Sequence, residues 1–149
     1  MTNRLLIDTN ILVYAYDRSE PVKQRVAAAL LNHLEDLEAG VVTTQVLGEL
    51  FVTLIGKLSA QYSADQAYER IDSSLNTWEV LDVTRPVIMD AIRAVREYKM
   101  HYWDAQLWAA ARLHTVPVIL SEDFSDGAVI EGVRFVNPFT PEFRLDEWL

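Results

Sequence analysis

A chain of 149 residues, half of them hydrophobic, has the size and apolar content of one globular domain and excludes a disordered protein. It has no cysteine, which excludes disulfides and thiolate metal sites, and its 22 acidic and 13 basic residues give a formal net charge of −9. We therefore expect one domain spanning residues 1–149, in which any metal ion is held by oxygen or imidazole ligands.

The apolar runs of the sequence are short. Residues 11–16 and 116–120 form two of the longest, and neither approaches the roughly 20 residues that a membrane-spanning helix needs. Asp8 ends the first apolar run too early for a signal peptide. We expect no membrane segment and a cytoplasmic location, since a chain without cysteine suits a reducing compartment.

The first part of the chain predicts the order strand, helix, helix, strand. Residues 4–8 are typical of a strand, and a helical stretch at residues 11–16 follows through a tight turn. Apolar residues recur at helical spacing over residues 21–38, with Gly40 as the stop signal of that helix. Residues 41–44 predict the second strand.

The middle of the chain is predicted to be mostly helical. Residues 45–57 read as a strongly apolar helix, and residues 63–66 resemble a capping box that opens another. A third strand at residues 78–83 precedes a helix at residues 84–99. The next helix is predicted at residues 103–114.

Two further strands are predicted near the end of the chain, at residues 117–120 and 133–136. The tail at residues 138–149 mixes aromatic residues with acids. Strands that alternate with helices predict a parallel sheet covered on both faces and joined by right-handed crossovers. The predicted fold class is therefore α/β, with a central parallel sheet of about five strands flanked by helices.

Four acidic residues stand near the junctions of these predicted elements: Asp8 after the first strand, Glu49 in the helix after the second, Asp104 at a helix start, and Asp123 after the fourth strand. Each alone has an ordinary explanation, as a helix cap, a dipole partner, a turn residue or, for Glu49, part of an exposed stripe with Thr53. Ligands of open parallel sheets bind beyond the carboxyl ends of the strands, where the strand order reverses. If the first and fourth strands flank that point, all four carboxylates meet in one cleft.

Carboxylates that converge need a compensating charge, because each raises the free energy of ionising the next. Oxygen ligands favour Mg²⁺ or Mn²⁺ over zinc, and the three histidines are too scattered to predict a shared site. One ion, or two ions about 3.5 to 4 Å apart, can support hydrolysis of a phosphodiester. The net charge of −9 opposes nucleic-acid binding, and bound cations would supply the missing positive charge.

Four segments carry a resemblance to a known family. They read LLIDTN at residues 5–10, QVLGEL at 45–50, YWDAQL at 102–107 and LSEDF at 120–124. In this order they resemble the PIN-domain family and, within it, the VapC-like toxin ribonucleases of toxin-antitoxin modules. The ordered combination is more specific than any one segment, and it extends over nearly the whole chain.

The resemblance implies a PIN-like three-layer fold and an acidic site for one or two Mg²⁺ or Mn²⁺ ions. The catalytic and metal-binding residues that it implies are Asp8, Glu49, Asp104 and Asp123, with Asn10 and Ser121 as polar supports and Asp126 as an auxiliary acid. The implied activity is endonucleolytic hydrolysis of RNA, with Asp104 as the candidate for relaying a proton. The implied partners are an RNA substrate, a second copy of the chain in a homodimer, and a small cognate antitoxin protein.

Basic residues are few around this predicted site. Arg93 and Arg96, one turn apart in the helix before Asp104, are candidate contacts to substrate phosphate, and a solvated helix face is the alternative. From residue 121 onward the chain has seven acids and two bases, which predicts low standing affinity for RNA. The aromatic tail either folds back on the core, packs in a dimer or contacts a partner.

Other folds with an aspartate after the first strand fit the sequence less well. A phosphatase of the haloacid dehalogenase type needs a second aspartate two residues later, where this chain has Asn10. A receiver domain needs paired acids near the first strand and a lysine after a late strand, and neither is apparent. The remaining alternative is a catalytically silent PIN-like interaction module, which the complete acidic set disfavours.

Overall fold

The computed structural model describes residues 3–149, of which six stretches form one sheet. The strands are β1 (Leu5–Ile7), β2 (Gly40–Thr43), β3 (Glu79–Leu81), β4 (Val118–Leu120), β5 (Val129–Ile130) and β6 (Val133–Val136). Their order across the sheet is β3-β2-β1-β4-β6-β5, and each neighbouring pair is parallel except β5 with β6. The predicted α/β fold with a central, mostly parallel sheet is confirmed.

The sheet has one strand more than the five that the sequence predicts. The additional strand is β5, which pairs antiparallel with β6 through Val129–Arg134 and Ile130–Val133. The two residues between these strands, Glu131 and Gly132, both have positive φ angles. Such a pair matches the twist of a tight hairpin. A two-residue strand is too short to produce an alternating pattern that sequence inspection detects.

Helices flank the sheet. They are α1 (Thr9–Tyr16), α2 (Pro21–Asp36), α3 (Thr44–Ile55), α4 (Ala64–Thr77), α5 (Arg85–Tyr98) and α6 (Tyr102–Leu113), followed by a 3₁₀ turn at Leu145–Glu147. Every residue of β1, β2 and β4 is buried, as expected of central strands covered on both faces. None of the helices in the described part of the chain has the length and hydrophobicity needed to cross a membrane.

Helix caps sit directly at the strand ends and so fix where α1 and α3 begin. The Asp8 carboxylate accepts a hydrogen bond from the backbone N–H of Thr9, and the Thr43 hydroxyl accepts one from Val46. The predicted capping box is confirmed at the start of α4, where Ser63 and Gln66 bond to each other's backbone N–H groups. The β1–α1 and β2–α3 connections are therefore short and defined by side-chain bonds.

Gly40 does not stop the second helix as the sequence predicts. Helix α2 already ends at Asp36, and Gly40 is the first residue of β2. A Cβ atom at Gly40 would lie 2.4 Å from the ring of Trp78, which is far inside van der Waals contact. The glycine is therefore needed because β2 and the Trp78 ring approach each other closely.

The strand order reverses between β1 and β4. The chain builds β2 and β3 on one side of β1 and then returns to place β4 on the other side. The predicted flanking of the switch point by the first and fourth strands is confirmed. The aromatic tail folds back, and Phe139, Phe143 and Trp148 pack against the core.

Candidate metal centre

Two of the predicted site acids face each other across the switch point between β1 and β4. Asp8 follows β1 directly, and its backbone N–H donates to the carbonyl of Leu120 at 3.0 Å. The Ser121 hydroxyl donates to the Asp8 carboxylate at 2.8 Å and accepts from the backbone N–H of Asp123 at 3.2 Å. The side-chain amide of Asn10 donates to Asp123 at 3.0 Å. The structure thus places both predicted polar supports between Asp8 and Asp123.

Glu49 reaches the same end of the sheet from α3. It lies on the exposed face of the helix, so its charge is solvated rather than buried. One carboxylate oxygen accepts from the Thr9 hydroxyl at 2.9 Å, and the other accepts from the Gln45 side chain at 2.7 Å. Because Thr9 follows Asp8 in the chain, the Thr9 bond ties Glu49 to the β1 end of the cleft.

Gln45 and Gln106 are residues of this region that sequence reasoning missed. The Gln106 amide donates to the side-chain oxygen of Gln45 at 2.6 Å, and Gln45 also lies 3.4 Å from the carbonyl of Trp103. These bonds join α3 to the start of α6. The signal in the sequence was Gln106 itself, a polar residue within an apolar helical run that needs a hydrogen-bond partner when it is buried.

Asp104 occupies the first turn of α6 and is half-buried. Within residues 3–149 its carboxylate accepts no hydrogen bond. Burial raises the pKa of Asp104, the nearby His101 lowers it, and the negative charges of Asp123 and Glu49 raise it further. The two exposed acids of the cleft, Asp123 and Glu49, therefore interact electrostatically with Asp104.

Asp8 shows the strongest effect of this environment. Burial raises the pKa of Asp8 from 3.8 to about 6, against the lowering effect of its hydrogen bonds from Ser121 and Thr9. The charges of Glu49 and Asp104 add to the increase. The four acids are thus electrostatically coupled, and ionising all of them together is costly without a cation.

The chemistry of these donors fits a hard divalent cation. They are carboxylates, and none of the four takes part in the salt bridges found in the described part of the chain. No three acidic or histidine side chains of residues 3–149 already have the arrangement of a closed metal-binding group. Glu49 and Asp123 are the exposed members of the four acids.

The PIN domain family model matches residues 5–125 of the sequence, which include the four acids of the cleft. This chain belongs to the PIN domain family. No curated protein matches the sequence.

Solved structures share the fold of this PIN domain. A toxin-antitoxin complex from Klebsiella pneumoniae matches with a TM-score of 0.63 and 24% identity, over 91% of this chain and 98% of that chain. VapBC2 from Rickettsia felis, bound to a DNA fragment from its promoter, matches with a TM-score of 0.63 and 17% identity, over 89% of this chain and 97% of that chain. The Sarcin-Ricin loop cleaving toxin VapC20 from Mycobacterium tuberculosis matches with a TM-score of 0.61 and 19% identity, over 87% of this chain and 98% of that chain. At these identities the likeness shows the fold.

Asp126 of this PIN domain lies apart from the four acids in its contacts. Its carboxylate accepts from the backbone N–H of Asn137 at 2.8 Å, so it fixes the segment after β6. In the described residues no hydrogen bond links it to the cleft. The auxiliary role implied for Asp126 stays a prediction that these contacts do not support.

The two arginines predicted to contact phosphate differ in their surroundings. All three guanidinium nitrogens of Arg93 donate to carboxylates, which belong to Asp90, Glu97 and Glu131. These bonds occupy the donors that a phosphate would need, so the geometry argues against the role predicted for Arg93. Arg96 is exposed on the same helix, and its phosphate contact stays a prediction.

Proposed function

We propose that this PIN domain is a divalent-metal-dependent endoribonuclease that hydrolyses RNA phosphodiester bonds and acts as the toxin of a toxin-antitoxin pair. The observation that carries the proposal is the coupling of four carboxylates at the switch point of the sheet. Asn10 and Ser121 bond Asp8 to Asp123, and Glu49 and Asp104 raise the pKa of Asp8. We also propose that residues 1–149 form one domain.

Asp8, Glu49, Asp104 and Asp123 are the residues that would hold the cation. One or two Mg²⁺ or Mn²⁺ ions supply positive charge that stabilises the phosphodiester transition state and makes water more acidic. Asp104 is the residue best placed to accept a proton from the attacking water. Its carboxylate accepts no hydrogen bond within residues 3–149, so it is available to accept a proton.

An open, mostly apolar groove lies in the surface beside Glu49. The groove has a volume of about 540 Å³, and its lining residues are Thr9, Thr44, Gln45, Gly48, Glu49, Val52 and Thr53. It begins at the acidic cleft and continues along the exposed face of α3. Because the chain has a net charge of −9, RNA affinity is expected to depend on the bound cation rather than on a basic surface.

The toxin role and its partners rest on the likeness to known toxins. The three similar structures are a toxin-antitoxin complex, VapBC2 and a toxin that cleaves the Sarcin-Ricin loop. We accordingly propose a small cognate antitoxin, a homodimer and a cytoplasmic location. The proposal predicts a short open reading frame next to the gene of this chain. Co-expression with its product, followed by size-exclusion chromatography with light scattering, tests the antitoxin and the dimer together.

The decisive experiment is cleavage of total RNA by the purified protein with Mg²⁺ or Mn²⁺. Wild type is expected to cleave, EDTA to stop cleavage, and Asp8→Asn and Asp104→Asn to abolish it while the circular dichroism spectrum is retained. Asp72→Asn, on the exposed face of α4, is the matched control and is expected to cleave like wild type. Cleavage in EDTA rejects the proposal.

The alternative function is a catalytically silent PIN-like interaction module. It predicts that metal-loaded wild type leaves total RNA intact and yet binds a protein partner tightly. The same RNA assay therefore separates the two functions.

A further inference from the structure

Three polar side chains from α1, α2 and the loop after β4 form a closed hydrogen-bonded cluster. The Tyr14 hydroxyl donates to one carboxylate oxygen of Glu122 at 2.6 Å, and the Lys23 ammonium donates to the other at 2.6 Å. The ammonium also donates to the Tyr14 hydroxyl at 3.2 Å. Both oxygens of Glu122 are therefore engaged, which fixes the orientation of its side chain.

The C-terminal segment adds an aromatic wall to this cluster. The Phe139 ring meets the Tyr14 ring edge-on with their centroids 5.1 Å apart. The Lys23 ammonium lies 4.7 Å from the Tyr14 centroid and 5.6 Å from that of Phe139, within the range of cation–π attraction. An exposed ion pair contributes little to stability, but here the side-chain exposures of 36% for Lys23 and 23% for Glu122 indicate partial screening from water.

Glu122 stands between two residues of the candidate metal centre, Ser121 and Asp123. Its backbone N–H donates to the side-chain oxygen of Asn10 at 3.3 Å, and its side chain is held by Tyr14 and Lys23. The Ser121 hydroxyl bonds to Asp8. The loop after β4 is thus held in three places: by the bond of its backbone to Asn10, by the bond of Ser121 to Asp8, and by the bonds of the Glu122 side chain to Tyr14 and Lys23.

Asp123 is exposed, and few contacts hold it. Its own side chain is held by the amide of Asn10 and its backbone by the Ser121 hydroxyl. Both of these partners belong to the cleft itself, whereas the contacts of Glu122 reach out to α1, α2 and the tail. Without the outer contacts, the loop keeps the stack of Phe124 on Phe135 and the hydrogen bond of Asp126 with Asn137, but the Glu122 side chain no longer ties it to α1 and α2.

We infer that Tyr14, Lys23 and Glu122 are positioning residues that hold Asp123 in the candidate metal centre, and that Phe139 gives the C-terminal segment a part in this role. We call the four residues the Glu122 anchor. The inference rests on the proposed function in that Asp123 is taken as a ligand of the cation. Partners that orient metal ligands typically change metal affinity by 10- to 100-fold when they are removed.

The first test measures the loop without metal or RNA. Amide hydrogen exchange of residues 121–126 is compared in metal-free wild type, Lys23→Met and Lys23→Arg. The methionine variant is expected to exchange about tenfold faster in this loop, with residues 45–52 unchanged. Arginine is expected to restore slow exchange, since it keeps the charge and can also lie against the aromatic rings. Unchanged loop exchange in Lys23→Met overturns the inference.

The second test measures Mn²⁺ affinity by isothermal titration calorimetry. Lys23→Met and Phe139→Ala are expected to bind Mn²⁺ about tenfold more weakly than wild type, with Lys23→Arg close to wild type. Arg4→Met is the control, because it removes another ion pair of a similarly exposed base, with Glu79, near the opposite end of β1. A loss of stability alone would leave affinity unchanged in all variants, and that result also overturns the inference.

The two tests separate this inference from the proposed function. If wild type binds no Mn²⁺ or cleaves no RNA, the proposed function fails, and the exchange measurement still decides whether Lys23 holds the loop. If wild type binds Mn²⁺ and cleaves RNA while Lys23→Met does both equally well, only the Glu122 anchor is refuted.

Discussion

The side-chain amide of Asn10 donates a 3.0 Å hydrogen bond to Asp123, although 113 positions separate the two residues in the chain. The same nitrogen lies 3.4 Å from a carboxylate oxygen of Asp8 and from the Ser121 hydroxyl. The Asn10 oxygen accepts the backbone N–H of Glu122. One amide therefore joins the segments that follow β1 and β4.

Replacing Asn10 by alanine is expected to damage the candidate metal centre more than the fold. The variant loses the donor to Asp123 and the acceptor for Glu122, so the bond of Tyr14 to Glu122 becomes the remaining side-chain link of this loop to α1. We expect Mn²⁺ affinity to fall by tenfold or more and RNA cleavage to fall with it. We expect the free energy of unfolding to fall by only about 1 to 2 kcal/mol.

Asn76→Ala is the control for this prediction. Asn76 also donates from its side-chain amide, to the backbone carbonyl of Asp72 at 2.8 Å, but on the exposed face of α4. The control is expected to keep wild-type Mn²⁺ affinity. Equal loss of affinity in both variants would contradict a specific role for Asn10.

The raised pKa of Asp8 predicts that the metal-free protein loses stability as the pH rises. The folded-state pKa of about 6 lies above the ordinary value of 3.8, so the folded protein holds the proton more tightly than the unfolded chain. The favourable contribution of protonated Asp8 to the free energy of unfolding is complete below pH 3.8 and is lost as the pH rises through about 6. This difference between the two pKa values corresponds to a loss of roughly 3 kcal/mol in the free energy of unfolding.

Asp8→Asn removes this titration and should stabilise the metal-free protein at neutral pH. Urea unfolding in EDTA at pH 4.5, 6 and 7.5 measures the effect. The stability gained by the variant over wild type is expected to grow with pH and to level off above pH 7, because Asp8 is then fully ionised. A gain that is constant over this range would show that the carboxyl of Asp8 does not titrate there.

Replacing Gly40 or Gly48 by alanine is expected to have opposite effects on stability, because only Gly40 lies against another side chain. Gly40→Ala places a Cβ atom 2.4 Å from the Trp78 ring, and overpacking of this kind typically costs about 1 to 3 kcal/mol. Gly48→Ala meets no atom within 4 Å on the exposed face of α3, so alanine should stabilise the helix by up to about 1 kcal/mol. Thermal unfolding measures both, and a melting temperature that rises in Gly40→Ala would contradict the packing argument.

The contacts of Arg93 predict a structural role. Arg93 and Arg112 share the carboxylate of Asp90, which is itself buried, and both guanidinium groups lie within 6 Å of the Trp108 ring centroid. Arg93→Met is expected to lower the melting temperature and to leave the KM for RNA unchanged. A raised KM at wild-type stability would restore Arg93 as a phosphate contact.

Arg96→Met is the companion variant for that experiment. Arg96 is exposed, so its removal should leave the melting temperature close to that of wild type. A raised KM for RNA in this variant would support phosphate contact by Arg96, and an unchanged KM would assign it to the solvated face of α5.

Local patterns in the sequence were sufficient to predict the alternation of strands and helices. The capping box at Ser63 and the strand ends at Asp8 and Ser121 depend on neighbouring residues, which a sequence displays directly. The switch point followed from the general behaviour of parallel sheets. These two kinds of information also predicted that Asp8 and Asp123 lie together.

The side-chain partners were not predictable in the same way. Lys23 and Glu122 are 99 positions apart, and Gln45 and Gln106 are 61 positions apart. No local pattern specifies such pairs, because each depends on how two helices or loops pack. The partners of Arg93 were not predictable for the same reason, since Glu131, to which it donates two hydrogen bonds, belongs to the hairpin of β5 and β6.

A short strand lies at each edge of the sheet. Strand β5 has two residues and β3 has three, so another chain that aligned with either edge would gain only a few backbone hydrogen bonds. The tight turn at Glu131 and Gly132 folds β5 over the flank of β6 that would otherwise face solvent. Short edge strands disfavour growth of the sheet by further chains, so we expect stable contacts with other molecules on helical surfaces.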